Sequence, residues 1–209
     1  MTSVVTERSA GTENYHQAAA APGVSRGSGA HDFDPLIRTA HWLTLFLIVA
    51  VFSTAALVHE VPDAWKLTLI QLHRSLGLTI WIVTVMRLVW RQFARFPDWP
   101  ANMSRAMRGA AHSIEYLLYS LLLLQPILGL LHTNAHGARV NLFFFFRLPQ
   151  LMDRDDKLAE QLILAHGIVA NLLLAVIALH ATAVLFHHFI RRDETLNRML
   201  PRAVQRRSA

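Results

Sequence analysis

The amino-acid sequence predicts an all-α protein, a bundle of four transmembrane helices with both termini in the cytoplasm. Of the 209 residues, 53% are hydrophobic and only 16% are charged, whereas a soluble domain has roughly a quarter of its residues charged. The apolar residues stand in long blocks, and arginines are concentrated beside those blocks. The first two observations indicate the fold class, and the third indicates the orientation in the membrane.

Four apolar runs define the predicted spans. They are residues 40–58, 67–86, 114–131 and 162–186. Each run is close to the ~20 residues that a spanning helix needs. Pro126 is expected to kink the third helix, which neighbouring helices in a bundle can accommodate. The aromatic segment 140–148 is too short to span, so it is expected to lie at the membrane surface or to cap the bundle.

Composition and charge divide the chain into three parts. Residues 1–34 mix Gly, Ala, Ser, Thr and scattered charge without a period, which predicts a disordered tail. Residues 35–192 contain the four spans, and residues 193–209 form a basic tail. The arginines of 91–108 lie on the same side of the membrane as that tail, and the positive-inside rule makes this side cytoplasmic.

Composition also excludes several classes of function. The net charge of +6 would suit a nucleic-acid-binding protein, but the arginines stand at the ends of apolar segments, so no nucleic acid is expected as a partner. There are no cysteines, which excludes disulfides, thiolate zinc sites, iron–sulfur clusters and covalently attached haem. Any metal or cofactor must be held by other ligands, and histidine is abundant, with 12 copies.

Four histidines lie at bilayer depth, where a polar side chain is expensive and indicates function. His166 and His180 stand about four turns apart on one face of the fourth helix, about 21 Å along its axis. By depth, His41 pairs with His180 near the cytoplasmic surface, and His73 pairs with His166 near the outer surface. Two such pairs predict two b-type haems, each with two axial histidines, and therefore electron transfer.

The histidines could instead form a zinc site, or be incidental in a non-redox membrane protein. Zinc needs four ligands converging at one level, whereas these ligands come in twos at two levels. A non-redox membrane protein with incidental histidines would not be expected to show paired depths. His59 is a weaker candidate for the outer haem, and His132 and His136 are expected to be solvated in the outer loop.

Each of three residues near the predicted ligands has one possible role in binding a cofactor or quinone and one purely structural role. Gly77, one turn after His73, would admit a flat macrocycle or serve small-residue helix packing. Arg38, one turn before His41, would pair with a haem propionate or supply a positive-inside charge. His187 shares the face of His180 at the cytoplasmic end. It would bind a quinone headgroup or shuttle its protons, or be an interfacial histidine.

Several segments resemble the bacterial cytochrome b561 family of small four-helix di-haem proteins. They are AHW at 40–42, QLHRSLG at 71–77, QPILGLL at 125–131, AHGIVAN at 165–171 and LHATAVLFHHFIRRDETLNRMLP at 179–201. The last is the most specific, because it joins a helix end, a His-His pair and a D-x-T-L-x-R-M-x-P exit. The resemblance covers residues 35–201.

The resemblance implies an oxidoreductase of the bacterial inner membrane, a multi-pass protein surrounded by lipid. It implies the same four axial histidines, two haem b groups, and electron passage between the outer haem and ubiquinone near the inner haem. Some members are similar to a superoxide oxidase, in which periplasmic superoxide is the electron donor. On that basis His187 and Thr39 would flank the quinone, and Arg74, Arg139 and Arg147 would attract the anion.

The alternative function is a haem-carrying membrane anchor. Such a subunit would carry electrons for a separate dehydrogenase or hydrogenase and would have no substrate of its own. A stable co-purifying partner would distinguish it from the oxidoreductase. The short outer loops favour the oxidoreductase, because they offer little docking surface apart from residues 132–159.

Overall fold

A computed structural model describes residues 33–94, 96–97, 99, 103–143 and 145–200. Its main elements are α1 (Pro35–Leu57), α2 (Asp63–Arg91), α3 (Arg105–Ala135), the strands β1 (Asn141–Leu142) and β2 (Phe146–Arg147), and α4 (Asp156–Phe186). Almost all of the predicted N-terminal tail, and residues 201–209 of the basic tail, lie outside the described residues.

Polar side chains begin three of the helices. The carboxylate of Asp34 accepts a hydrogen bond from the backbone N–H of Leu36 at 2.8 Å, and Pro35 occupies the first helical position. Ser104 and Asp155 cap α3 and α4 in the same way. Such residues satisfy backbone donors that the first helical turn leaves without partners, so these helix starts follow from local sequence.

All four helices are long and apolar enough to cross a membrane, and this confirms the predicted all-α bundle of four spans. Large apolar side chains point away from the bundle: Phe46, Leu67, Met86 and Leu164 are each more than 60% exposed. Exposed apolar surface of this extent suits contact with lipid tails, where helices satisfy their own backbone hydrogen bonds.

The helices pack as two pairs, α1 against α2 and α3 against α4, and α2 against α3 joins them. Apolar side chains from all four helices form the core at mid-bundle: Leu47, Ile48, Ile80, Leu121, Leu122, Leu173 and Val176. In each of α1, α2 and α4, this layer lies between the two levels at which histidines were predicted to pair. An apolar layer therefore separates the two levels.

Within the segment 140–148, Asn141–Leu142 and Phe146–Arg147 pair as the antiparallel strands β1 and β2. The backbone N–H of Phe143 donates to the hydroxyl of Ser75 at 2.8 Å, and Val140 is buried. A further anchor follows β2, where the N–H of Leu151 donates to the side-chain oxygen of Asn134 at 2.8 Å. The segment was expected either to lie at the membrane surface or to cap the bundle, and these contacts show that it caps the bundle.

The chain after α4 turns back onto α1. A π-helical turn, His187–Arg191, ends at Arg192, which has a left-handed backbone with φ of 53°. The indole N–H of Trp42 then donates to the carbonyl of Met199 at 2.8 Å, and Arg38 donates to the carbonyl of Leu200 at 3.2 Å. These contacts hold the exit segment against the first helix.

Candidate haem site

The four histidines predicted as ligands lie in two facing pairs, and each pair bridges two helices. The ring centres of His41 in α1 and His180 in α4 are 6.4 Å apart, and we call these residues the inner pair. The ring centres of His73 in α2 and His166 in α4 are 6.2 Å apart, and they form the outer pair. The two levels are separated by about four turns of α4, or about 21 Å.

Both ring separations fit a single metal ion between two imidazoles. Two metal–nitrogen bonds of about 2.0 Å, with the half-width of each ring added, place the ring centres about 6.3 Å apart. Within the described part of the chain, no group of three or more His, Asp or Glu side chains is placed to hold a metal ion. Two ligands at each level suit a metal whose other four positions are filled by a macrocycle.

Hydrogen bonds orient the rings of the outer pair. The Nδ1 of His73 lies 3.0 Å from the carbonyl of Val51, and the Nδ1 of His166 lies 3.2 Å from the carbonyl of Gln125. A carbonyl oxygen only accepts hydrogen bonds, so Nδ1 carries the proton in both neutral rings. The Nε2 lone pair of each ring is then available to a metal, as in most metal-binding histidines.

Gly129 in α3 makes room for one of these rings. A Cβ at this position would stand 3.1 Å from Cε1 and 3.3 Å from Nδ1 of His166, closer than ordinary van der Waals contact. The ring also stands beside the turn that contains Pro126, which has no N–H to continue the helical ladder. In the sequence, the available signal for Gly129 was its place in the segment QPILGLL, which was noted only for its family resemblance.

A cavity of about 460 Å³ opens beside the outer pair. This volume lies in the range of typical cofactor pockets. The lining is mostly apolar and includes both rings of the outer pair, Gly77 and Arg74. A Cβ at Gly77 would meet no atom within 4 Å, so this glycine borders open space of the kind a flat ring requires.

Three further histidines, His132, His136 and His59, lie towards the outer end of the bundle. His132 was predicted to be solvated in a loop, and this was wrong: α3 continues to Ala135, and His132 is half-buried, lines the cavity and bonds to the carbonyl of Ala159 at 3.0 Å. His136 is exposed, as predicted. His59 is also exposed and lies at the rim of the cavity.

Arg87 was not considered in the sequence analysis, although it lies about four turns after His73 on the same face of α2. Its charge acts on both rings of the inner pair. Its guanidinium carbon stands 5.4 Å from the ring centre of Tyr119 in α3. Arg38, the predicted propionate contact, is buried and donates to the carbonyl of Leu200.

The residues predicted to flank a quinone lie in different environments. His187 is buried, and its Nδ1 lies 2.5 Å from the carboxylate of Asp193. Thr39 is exposed, and its hydroxyl donates to the carbonyl of Pro35 at 2.9 Å. Neither hydrogen bond joins Thr39 to His187.

Asp193 is well suited to hold His187 in place. Burial alone would raise the pKa of the Asp193 carboxyl, but hydrogen bonds from Thr195 and His187 outweigh it and leave the pKa below its ordinary value. The carboxylate is therefore ionised at neutral pH and accepts a proton-bearing Nδ1. The other ring nitrogen of His187 stays available to a ligand.

Four apolar helices with facing imidazole rings are typical of membrane cytochromes that carry b-type haem. Comparison with known proteins agrees with this class: a family model described as prokaryotic cytochrome b561 matches residues 32–202. The chain belongs to the prokaryotic cytochrome b561 family, and it is a membrane electron-transfer protein of that b-haem family.

Individual relatives support the same family. A Yersinia pestis protein named probable superoxide oxidase CybB is 30% identical over 78% of this chain and 92% of its own length. Two Escherichia coli K12 proteins, named cytochrome b561 homolog 2 and homolog 1, are 28% and 27% identical. These two alignments cover 77% and 78% of this chain, and 86% and 93% of the relatives.

Proposed function

We propose that this protein is a di-haem oxidoreductase of the bacterial inner membrane that passes electrons from a periplasmic donor to ubiquinone. The inner and outer pairs would each hold one haem b. The observation that carries the proposal is the presence of one facing histidine pair near each end of a membrane-spanning bundle. When bound between two histidines, a b-type haem accepts and gives up one electron at a time.

The chain itself supplies ligation, orientation and insulation. Val51 and Gln125 fix the ring planes of His73 and His166 through their backbone carbonyls. The apolar core between the two levels excludes water and ions from the middle of the bundle. Electron transfer across this layer needs no movement of protons through it, because no electron carrier there has to be protonated.

Superoxide is the donor we propose for the outer end. Arg74 lines the cavity beside the outer pair, and Arg139 and Arg147 are exposed on the neighbouring cap. Positive charge at an opening attracts a small anion and raises its local concentration. One relative carries the name probable superoxide oxidase, which supports this choice of donor.

Ubiquinone is the acceptor we propose for the inner end, on the cytoplasmic side. His187 is buried there, with one ring nitrogen held by Asp193 and the other available to a quinone oxygen. Overall, two superoxide ions, one ubiquinone and two protons become two dioxygen molecules and one ubiquinol. The role of His187 would be to hold and deliver a proton to the quinone oxygen.

Two measurements test the proposal. A reduced-minus-oxidised spectrum of the purified protein should show two b-type haems, of which His73→Ala and His180→Ala each lose a different one. Superoxide should then reduce ubiquinone in the presence of the purified protein. If superoxide leaves the haems oxidised, the donor is wrong. A stoichiometric protein partner that reduces the haems would favour a membrane anchor subunit instead.

A further inference from the structure

Arg87 in α2 is half-buried and has a guanidinium whose hydrogen bonds are incompletely satisfied among the described residues. Its Nε atom is buried and has no hydrogen-bond partner among the described residues. The guanidinium carbon stands 5.4 Å from the ring centre of Tyr119, and this aromatic face cannot accept the in-plane N–H of Nε. A buried donor without an acceptor costs free energy, so an acceptor for this N–H is expected when the protein is assembled.

Arg91, one turn further along α2, is an arginine in the same region that does have an acidic partner. Its guanidinium forms an ion pair with the carboxylate of Glu115 and stands 4.8 Å from the ring centre of Phe96. The two arginines thus differ in one respect that matters here. Arg91 has an acidic partner supplied by the chain, whereas the buried Nε of Arg87 has no hydrogen-bond partner among the described residues.

The level of Arg87 along the bundle points to the missing partner. The indole of Trp90 donates to the carboxylate of Asp34, so these two residues lie at one level at the inner end. Arg87 is about one turn deeper in α2, and His41 is about two turns deeper in α1. Arg87 therefore lies between the inner pair and the inner end of the bundle, within electrostatic reach of both rings.

We propose that Arg87 is the anchor for the acidic edge of the inner haem, with the Nε edge of its guanidinium binding a haem propionate. A haem b has two carboxylates on one edge, and a carboxylate near the bilayer interior needs a cation or the aqueous surface. A planar guanidinium with free edge donors binds a carboxylate through two parallel hydrogen bonds. This inference rests on the proposed inner haem and assigns a residue that holds it.

The test uses the purified holoprotein and the resonance Raman band of the haem propionate bending vibration, which responds to hydrogen bonding of the carboxylate. The inner haem is identified as the component that His180→Ala removes. Arg87→Gln removes the charge and keeps a polar side chain of similar length. Arg91→Gln is the matched control, because its arginine already pairs with Glu115.

We expect Arg87→Gln to shift the propionate band of the inner haem and to lower its midpoint potential, since removal of a nearby positive charge disfavours the added electron. Arg91→Gln should leave the band where it is. If Arg87→Gln loses the inner haem altogether, Arg87→Lys should restore it, because lysine retains the charge and donors. Loss of the inner haem in both Arg87→Gln and Arg87→Lys would mean that the arginine acts by filling space rather than by its charge. That result would overturn the inference.

Two failures can be told apart. Absence of an inner haem from the wild type would remove the proposed function and this inference together. An inner haem whose propionate band is the same in wild type and Arg87→Gln would overturn this inference alone and leave the di-haem proposal standing.

Discussion

The ring of His166 in α4 packs directly against Gly129 in α3, where a Cβ would stand 3.1 Å from the imidazole. The same ring bonds through Nδ1 to the carbonyl of Gln125, one turn earlier in α3. The hydrogen bond and the close approach to Gly129 involve the same edge of the ring, so the position of the ring depends on the absence of a side chain at residue 129.

Gly129→Ala is therefore expected to displace the His166 ring by a few tenths of an ångström and to weaken the outer haem. The reduced-minus-oxidised spectrum should lose amplitude from the component that His73→Ala removes. Gly167→Ala is the matched control, since this glycine adjoins His166 in sequence and a Cβ there would meet no atom within 4 Å. Equal haem content in the two variants would contradict this role of Gly129.

Gly77 allows a separate test of the cavity. A Cβ at Gly77 meets nothing within 4 Å, so Gly77→Leu should fit the folded protein while occupying space beside the outer pair. We expect normal amounts of folded protein with reduced outer haem, measured as haem-to-protein ratio after purification. Gly109→Leu, also at an open helical position, should retain both haems. Full outer-haem content in Gly77→Leu would show that the macrocycle lies elsewhere.

Thr54 provides a prediction about the potential of the outer haem. Its hydroxyl donates to the carbonyl of Val51 at 2.7 Å, so it can only accept from Nδ1 of His73, 3.2 Å away. Acceptors at Nδ1 raise the basicity of the metal-binding nitrogen and favour the oxidised metal. Thr54→Val should raise the midpoint potential of the outer haem in a redox titration and leave the inner haem unchanged.

Ser53→Ala is the control for Thr54, because the Ser53 hydroxyl bonds within α1 and is exposed. It should leave both potentials as in the wild type. A potential that falls in Thr54→Val, or that shifts equally in Ser53→Ala, would contradict the assigned hydrogen bond.

Asp193→Asn should weaken both the stability of the inner end and the reduction of ubiquinone. Loss of a charged hydrogen bond to the buried His187 should cost about 1–3 kcal/mol, seen as a lower Tm in detergent. Asp193 has a lowered pKa in the folded protein, so its contribution is present at neutral pH. It should disappear only as the pH falls below the ordinary aspartate value of about 3.9 and through the folded pKa.

The assay for Asp193→Asn separates its two effects. Reduction of the haems by superoxide should stay at the wild-type rate, while electron delivery to ubiquinone slows. Asp193→Glu should recover part of that rate because it keeps the carboxylate. A wild-type quinone rate in Asp193→Asn would leave His187 as an interfacial histidine whose partner matters for folding only.

Sequence patterns were sufficient for the helical fold, because span length, apolar composition and helix caps are local properties. The run 67–86 lies inside α2, and the run 40–58 lies inside α1 except for its last residue, Val58; both helices begin before their apolar runs do. The extensions arise from polar turns, as at Asp63, that remain helical outside the apolar zone. In the same way, α3 continues beyond its apolar run 114–131, so His132 lies in this helix and not in the predicted loop.

The helical repeat also allowed the sequence to predict which histidines lie at the same depth in the membrane. His166 and His180 must share a face of α4 because 3.6 residues make a turn, and the order of spans dictates which partner lies at each depth. The distance between facing rings could not be obtained this way, because it depends on how closely α1 and α2 approach α4. That approach is a result of packing between helices.

What the sequence determined by itself was therefore the set of spans, the four histidines at bilayer depth and the likeness of these segments to a haem-binding membrane family. What only the tertiary structure decided was the setting of each side chain: Gly129 against His166, Asp193 beside His187, and Arg87 against the ring of Tyr119. The physical reason is one of range. Span length and helical phase are encoded within a single helix, whereas these contacts join residues from different helices or across a turn that the local pattern does not specify.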